Sequence, residues 1–141
     1  MSERHRFWGF NCPAVDLDFV MLEYNYGAPC ALVEYKHKNA QTPDTHHATY
    51  KALVLLADGH HKLTNGKYTH APLPCFIATY DPESWSFNVL PLNETARKHY
   101  THCTGKTLSE QRFVRSLHLL RKSVLTAADE QAIGALKGDT P

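Results

Sequence analysis

No apolar run in this chain approaches the ~18 residues that a membrane-spanning helix needs. Its first residues, MSERHRFWGF, lack the apolar stretch of a secretory signal. The expected setting is the cytoplasm, with no membrane partner. Cysteine is sparse and scattered: Cys12, Cys30, Cys75 and Cys103 form no C-x-x-C pair, so free thiols are expected rather than a disulfide framework. Histidine is plentiful, but His46-His47, His60-His61 and His99-x-x-His102-Cys103 lack the spacing of structural zinc ligands. Repeats and low-complexity segments are missing too. A net charge of +1 gives no global attraction to nucleic acid, so the distribution of charge matters more than its sum. Between Thr95 and Val124, seven lysines and arginines stand against one acid, Glu110.

What is present fits a soluble globular domain, with 43% hydrophobic and 21% charged residues in a chain of 141. That length predicts one domain, with residues 1–14 as an N-terminal turn or helix, 15–92 as the core and 93–141 as C-terminal helices. The organising stretch is Val15 to Asn39, VDLDFVMLEYNYGAPCALVEYKHKN. It predicts a β-hairpin, with strands Leu17–Tyr24 and Cys30–His37 around the turn residues Asn25–Pro29. Its charges sit where strands are otherwise apolar. Asp16 and Asp18 open the first strand, and Glu34 and Lys36 lie inside the second. An unpaired buried charge costs several kcal/mol, so such placement needs a reason.

Strand parity supplies a test. If the strands close on a Tyr24–Cys30 pair, Asp18 faces Lys36 and Val20 faces Glu34. Opposed residues, and residues two apart, share a face. Asp16, Asp18, Glu34 and Lys36 then converge, and a slip of one residue scatters them. Two carboxylates on one face suit a hard cation such as Mg2+, which keeps several waters for phosphate and nucleophile. The cation polarises a phosphoryl oxygen and acidifies a bound water. A lysine alongside orients that water or stabilises developing charge.

Downstream, Thr42-Pro43 predicts a helix start and Gly59 its end, with Ala48, Ala52, Leu55 and Leu56 as the packing stripe. Residues 60–73 are polar and turn-rich and predict a mobile loop. Strands are expected at Leu73–Tyr80 and Trp85–Leu90, and a short helix at Asn93–Lys98. Thr107-Leu108-Ser109-Glu110 reads as a capping box, opening a helix whose apolar face is Phe113, Leu117, Leu120 and Val124. A last helix follows from Thr126 to about Leu136.

Asp18, a turn, then Glu34-Tyr35-Lys36 resembles the active-site signature of the PD-(D/E)XK nuclease superfamily. The likeness is carried mainly by residues 15–38, with a helix between the hairpin and the next strands in agreement. It implies an α/β, restriction-endonuclease-like fold: a central mixed sheet of about four strands flanked by helices. It also implies a small, phage-type DNA endonuclease in which Asp18 and Glu34 bind Mg2+ or Mn2+ and Lys36 assists the attacking water. Asp16 competes with Asp18 for the metal. Lys38, Lys51, Arg112 and Arg115 are the candidate contacts to nucleic acid, and Tyr35 is expected in the core. Nucleases of this kind frequently work as dimers, and double-strand cleavage would call for two copies. The modest net charge suggests a recruiting protein partner. The competing expectation is a non-catalytic nucleic-acid-binding or protein-interaction module, whose Asp18 and Lys36 form a structural ion pair.

Overall fold

The computed structural model describes residues 17–23 and 27–123. In order these form β1 (Phe19–Glu23), β2 (Ala28–His37), α1 (Ala48–Asp58), β3 (His61–Thr64), β4 (Lys67–His70), β5 (Cys75–Asp81), β6 (Ser86–Pro91), α2 (Glu94–His99), β7 (Leu108–Ser109) and α3 (Glu110–Ser123). The expected N-terminal turn, the last helix, Asp16 and Cys12 lie outside the described residues. Among those described, no helix is long and apolar enough to cross a membrane.

The fold is α/β, built on a mixed sheet ordered β1-β2-β5-β6-β7. Only β2 and β5 run parallel, and α1 lies in the crossover that a parallel pair requires. The sheet has five strands rather than about four, because Leu108 and Ser109 pair with β6. That pairing also moves the expected cap. Ser109, not Thr107, accepts the Arg112 N–H at 3.3 Å, while Thr107 donates to Asn88 Oδ1 at 3.2 Å.

Alternation along β2 divides the core into two layers. Ala31 and Val33 join Phe76, Ala78, Phe87 and Val89 under α2 and α3, where Phe113 stacks on Phe87 with centroids 4.3 Å apart. Leu32 joins Cys75 and Ile77 under α1. Residues 30–33 are thus buried on both faces, the continuous apolar run expected of a strand at the centre of a sheet. Tyr35 takes its expected place on the α3 side, edge-on to Phe19 and Phe113. At the end of β1, the fully buried Glu23 meets Arg121 Nη2 at 3.2 Å, tying α3 to the hairpin.

Two expectations on this side of the chain need correction. Helix α1 starts at Ala48 with His47 as its cap, not at Pro43. Asp44 instead folds its own turn, its Oδ1 accepting the His46 N–H at 3.0 Å. The buried stripe is Tyr50, Leu53 and Ala57, whereas Leu55 and Leu56 are 73% and 62% exposed. Ala57 lies in the same buried layer as Leu73, whose N–H bonds the Ala57 carbonyl at 2.9 Å. The second correction concerns residues 60–73, which hold a regular hairpin rather than a loop. Its turn residues Asn65 and Gly66 both have positive φ, 51° and 73°, the pattern of a type I′ turn.

Candidate active site

The hairpin reaches its register in an unexpected way. Near the turn, Glu23 pairs with Ala28 and Leu22 with Pro29; farther out, Met21 pairs with Ala31, Val20 with Leu32 and Phe19 with Val33. Cys30 is the extra residue, a β-bulge, and Pro29 beside it has no N–H to give to the ladder. Val20 was expected opposite Glu34 and stands opposite Leu32, a displacement of two residues that preserves parity. Without the bulge, the ladder from the turn would set Asp18 against Val33 and send the charges to opposite faces. With it, the register extended one step beyond Phe19 brings Asp18 opposite Glu34, not Lys36.

Glu34 and Lys36 point to the α1 side, where the apolar cover of β2 stops. Lys36 Nζ lies 3.1 Å from Glu34 Oε1, their side chains 34% and 11% exposed. Its hydrogen bond to the Glu34 carboxylate raises the Lys36 pKa above its usual value against partial burial, with help from the charges of Glu34 and Asp18. Lys36 is therefore an ammonium at neutral pH. The buried Tyr50, 7% exposed, completes the group. Burial and the Glu34 charge push its hydroxyl up, the Asp18 carboxylate adds to this, and Lys36 opposes it.

Glu34, Lys36 and Tyr50 open onto a cleft of about 470 Å³. One wall is Glu34 and Lys36; the other comes from the segment before α1 and its first turn, including Gln41, Asp44, His47 and Tyr50. In the sequence, His47 figured only as half of a His-His pair set aside as a zinc site, and its place in the cleft was missed. The signal for it was a polar His-Ala-Thr run directly ahead of the helical stripe, with His47 accepting the Thr49 N–H at 3.2 Å.

The remaining candidates are not gathered here. Lys38, just past β2, pairs with Asp81 at 3.2 Å and Glu83 at 3.6 Å. Lys51 is exposed on α1 and lines a neighbouring cleft with His46 and Arg97. Arg112 and Arg115 are exposed on α3, across the sheet from the cleft.

Among the described residues, no three histidine, cysteine or acidic side chains gather to form a complete metal cage. Glu34 borders the open cleft and the Asp18 charge acts on its partner Lys36 from nearby; such carboxylates fit Mg2+, which commonly takes one or two from the protein and leaves the rest to water and phosphate. No family model, curated protein or solved structure matches the chain.

Proposed function

We propose that this chain is a metal-dependent endonuclease of the PD-(D/E)XK kind that hydrolyses DNA phosphodiester bonds. The observation that carries the reading is the Glu34–Lys36 pair and Tyr50 lining one cleft, with the Asp18 carboxylate close enough to act on both Lys36 and Tyr50. The hairpin, then α1, then a strand laid beside β2 supports a restriction-endonuclease-like core. A DNA substrate and free thiols at Cys30, Cys75 and Cys103 suit the cytoplasm.

In this reading Asp18 and Glu34 hold Mg2+ or Mn2+, with Asp16 as the alternative to Asp18. When bound, the cation supplies Lewis acidity toward a phosphoryl oxygen and a more acidic water. Lys36, held protonated by Glu34, donates toward the charge that builds on the phosphorane oxygens. Tyr50 fixes the inner end of the cleft, and its hydroxyl interacts with Lys36. Lys51 lies on the flank where a backbone phosphate would leave the cleft. Two copies serve double-strand cleavage, and a recruiting partner remains compatible with the small net charge.

Supercoiled plasmid and branched DNA, incubated in Mg2+ or Mn2+, provide the test. Cutting should require the metal and fall by roughly 10²–10³-fold in Glu34→Ala and Lys36→Ala. Equal cutting by the variants, or none by folded protein, would overturn the reading. A specific observation favours a second one: Glu34 and Lys36 already satisfy each other at 3.1 Å, as they would in a binding module without catalysis.

A further inference from the structure

A hairpin without a single acid stands at the far end of α1. From Gly59 to Tyr80 the chain has no aspartate or glutamate, while His60, His61, Lys62, Lys67 and His70 all fall there. Strands β3 and β4 pair with each other and form a sheet of their own. Leu63 and Tyr68 are open to solvent by 57% and 75%, and Lys62 is half-buried. The ladder matches Lys62 with Thr69 and Thr64 with Lys67. Lys62, Lys67 and Thr69 therefore share one face, and His61, Leu63, Tyr68 and His70 the other.

The root of this arm is firmly fixed. Ala71 N–H bonds the His60 carbonyl at 2.9 Å, and His60 Nδ1 bonds the Ala71 carbonyl at 3.0 Å. His61 Nδ1 reaches the Gly59 carbonyl at 2.9 Å, and His70 Nε2 reaches that of Asp58. Beside the root lies a cleft of about 510 Å³ whose polar lining is His60, Lys62, Thr95, Lys98, His99 and Ser123. No carboxylate lines it among the described residues. Lys98 in the cleft and Lys67 on the arm add positive charge that attracts polyanions.

We propose that the arm and this cleft bind the phosphate backbone of duplex DNA beside the cleavage site; the choice of ligand rests on the nuclease reading. Ammonium and hydroxyl groups on one ribbon face match the donors that position proteins on phosphates. A two-stranded ribbon also has the width to enter a major groove. Helix α1 links the two places: its 11 residues span about 16 Å at ~1.5 Å each. That length corresponds to about five base-pair steps of ~3.4 Å.

The test is fluorescence anisotropy of the full chain on a labelled duplex two helical turns long, in EDTA, over a range of salt. Lys67→Glu and Lys98→Glu, singly and together, are compared with Lys106→Glu, which lies next to β7 at an edge of the five-stranded sheet. The double variant should bind at least tenfold more weakly, and its salt slope should flatten by about 2, since each phosphate contact contributes ~0.9. Lys106→Glu should stay within threefold of the parent. Unchanged binding by the double variant overturns the proposal, as does an equal loss in Lys106→Glu. Competition by polyglutamate as effective as by unlabelled duplex also overturns it, in favour of an acidic protein. The chelator separates this outcome from catalysis. Loss of plasmid cutting with arm-dependent binding intact removes only the nuclease reading, and cutting with binding indifferent to the arm removes only this one.

Discussion

Replacing Asn93 with alanine should be among the most damaging single changes in the described chain, although Asn93 touches neither cleft's chemistry. It is 2% exposed and uses its full hydrogen-bonding capacity. Oδ1 accepts from Cys75 N and Ala96 N, each at 3.0 Å. Nδ2 donates to Asp58 Oδ1 at 2.9 Å and to the Leu73 carbonyl at 2.7 Å. One side chain thus joins the start of β5, the cap of α2, the end of α1 and the strap between β4 and β5. Losing the helix cap costs about 1 kcal/mol. Cys75 N–H and the Leu73 carbonyl, both buried, would each lose a partner at about 1–2 kcal/mol. The expected total is about 3–5 kcal/mol, which for a chain this long lowers Tm by about 10–20 °C. Asn93→Ser separates the contributions, because serine still caps α2 but cannot span to Asp58 and Leu73. It should recover only about 1 kcal/mol of the loss. Urea unfolding followed by circular dichroism reads all three proteins. Alanine within about 1 kcal/mol of the parent would refute the accounting, since a single unsatisfied buried group should cost that much. Full recovery by serine would show that the cap alone mattered.

Two further outcomes follow from buried titratable groups. Burial lowers the His99 pKa, partly offset by its bond to the Ser116 carbonyl. The unfolded chain therefore takes up a proton that the folded one refuses as pH falls below about 6.5. Stability should drop from that pH downward, and His99→Gln should flatten the fall in Tm between pH 7 and 5; an unchanged slope would contradict the assignment. Burial also raises the Cys30 thiol and pushes Cys75 up to about 12. Iodoacetamide on the native protein should therefore label Cys103 well before either, as read by peptide mass mapping. Early labelling of Cys75 would mean that the α1 layer is open.

Much of the architecture was legible because it rests on local signals. Trp85–Leu90 and Asn93–Lys98 were expected as a strand and a short helix, and they appear as β6 and α2 within a residue or so. The errors fall where a distant contact decided. Leu55 and Leu56 looked like core, yet α1 buries Tyr50, Leu53 and Ala57, which pack with Leu73, Cys75 and Ile77 from distant parts of the chain. Asn65-Gly66 was a readable hairpin turn, masked by strands of histidine and lysine with little apolar alternation. Arm residues need no buried face, so their pattern carried no period. The charged face of the first hairpin was legible through parity alone; the pairing was not, because one bulged residue shifted it.

That bulge makes chain length near the turn a digital variable. Glu34 and Lys36 are aimed by the pairing of β2 with β5, so insertions or deletions of two residues between Glu23 and Cys30 would keep the β1 end at Asp18 on their face. A change of one would turn that end of β1 to the other face unless the extra residue at Cys30 is absorbed or expelled in compensation. Related chains carrying the same chemistry should therefore differ in this turn by even numbers, or by odd numbers together with a lost or gained bulge. The proline at position 29, which cannot donate to the ladder, marks where that adjustment is made.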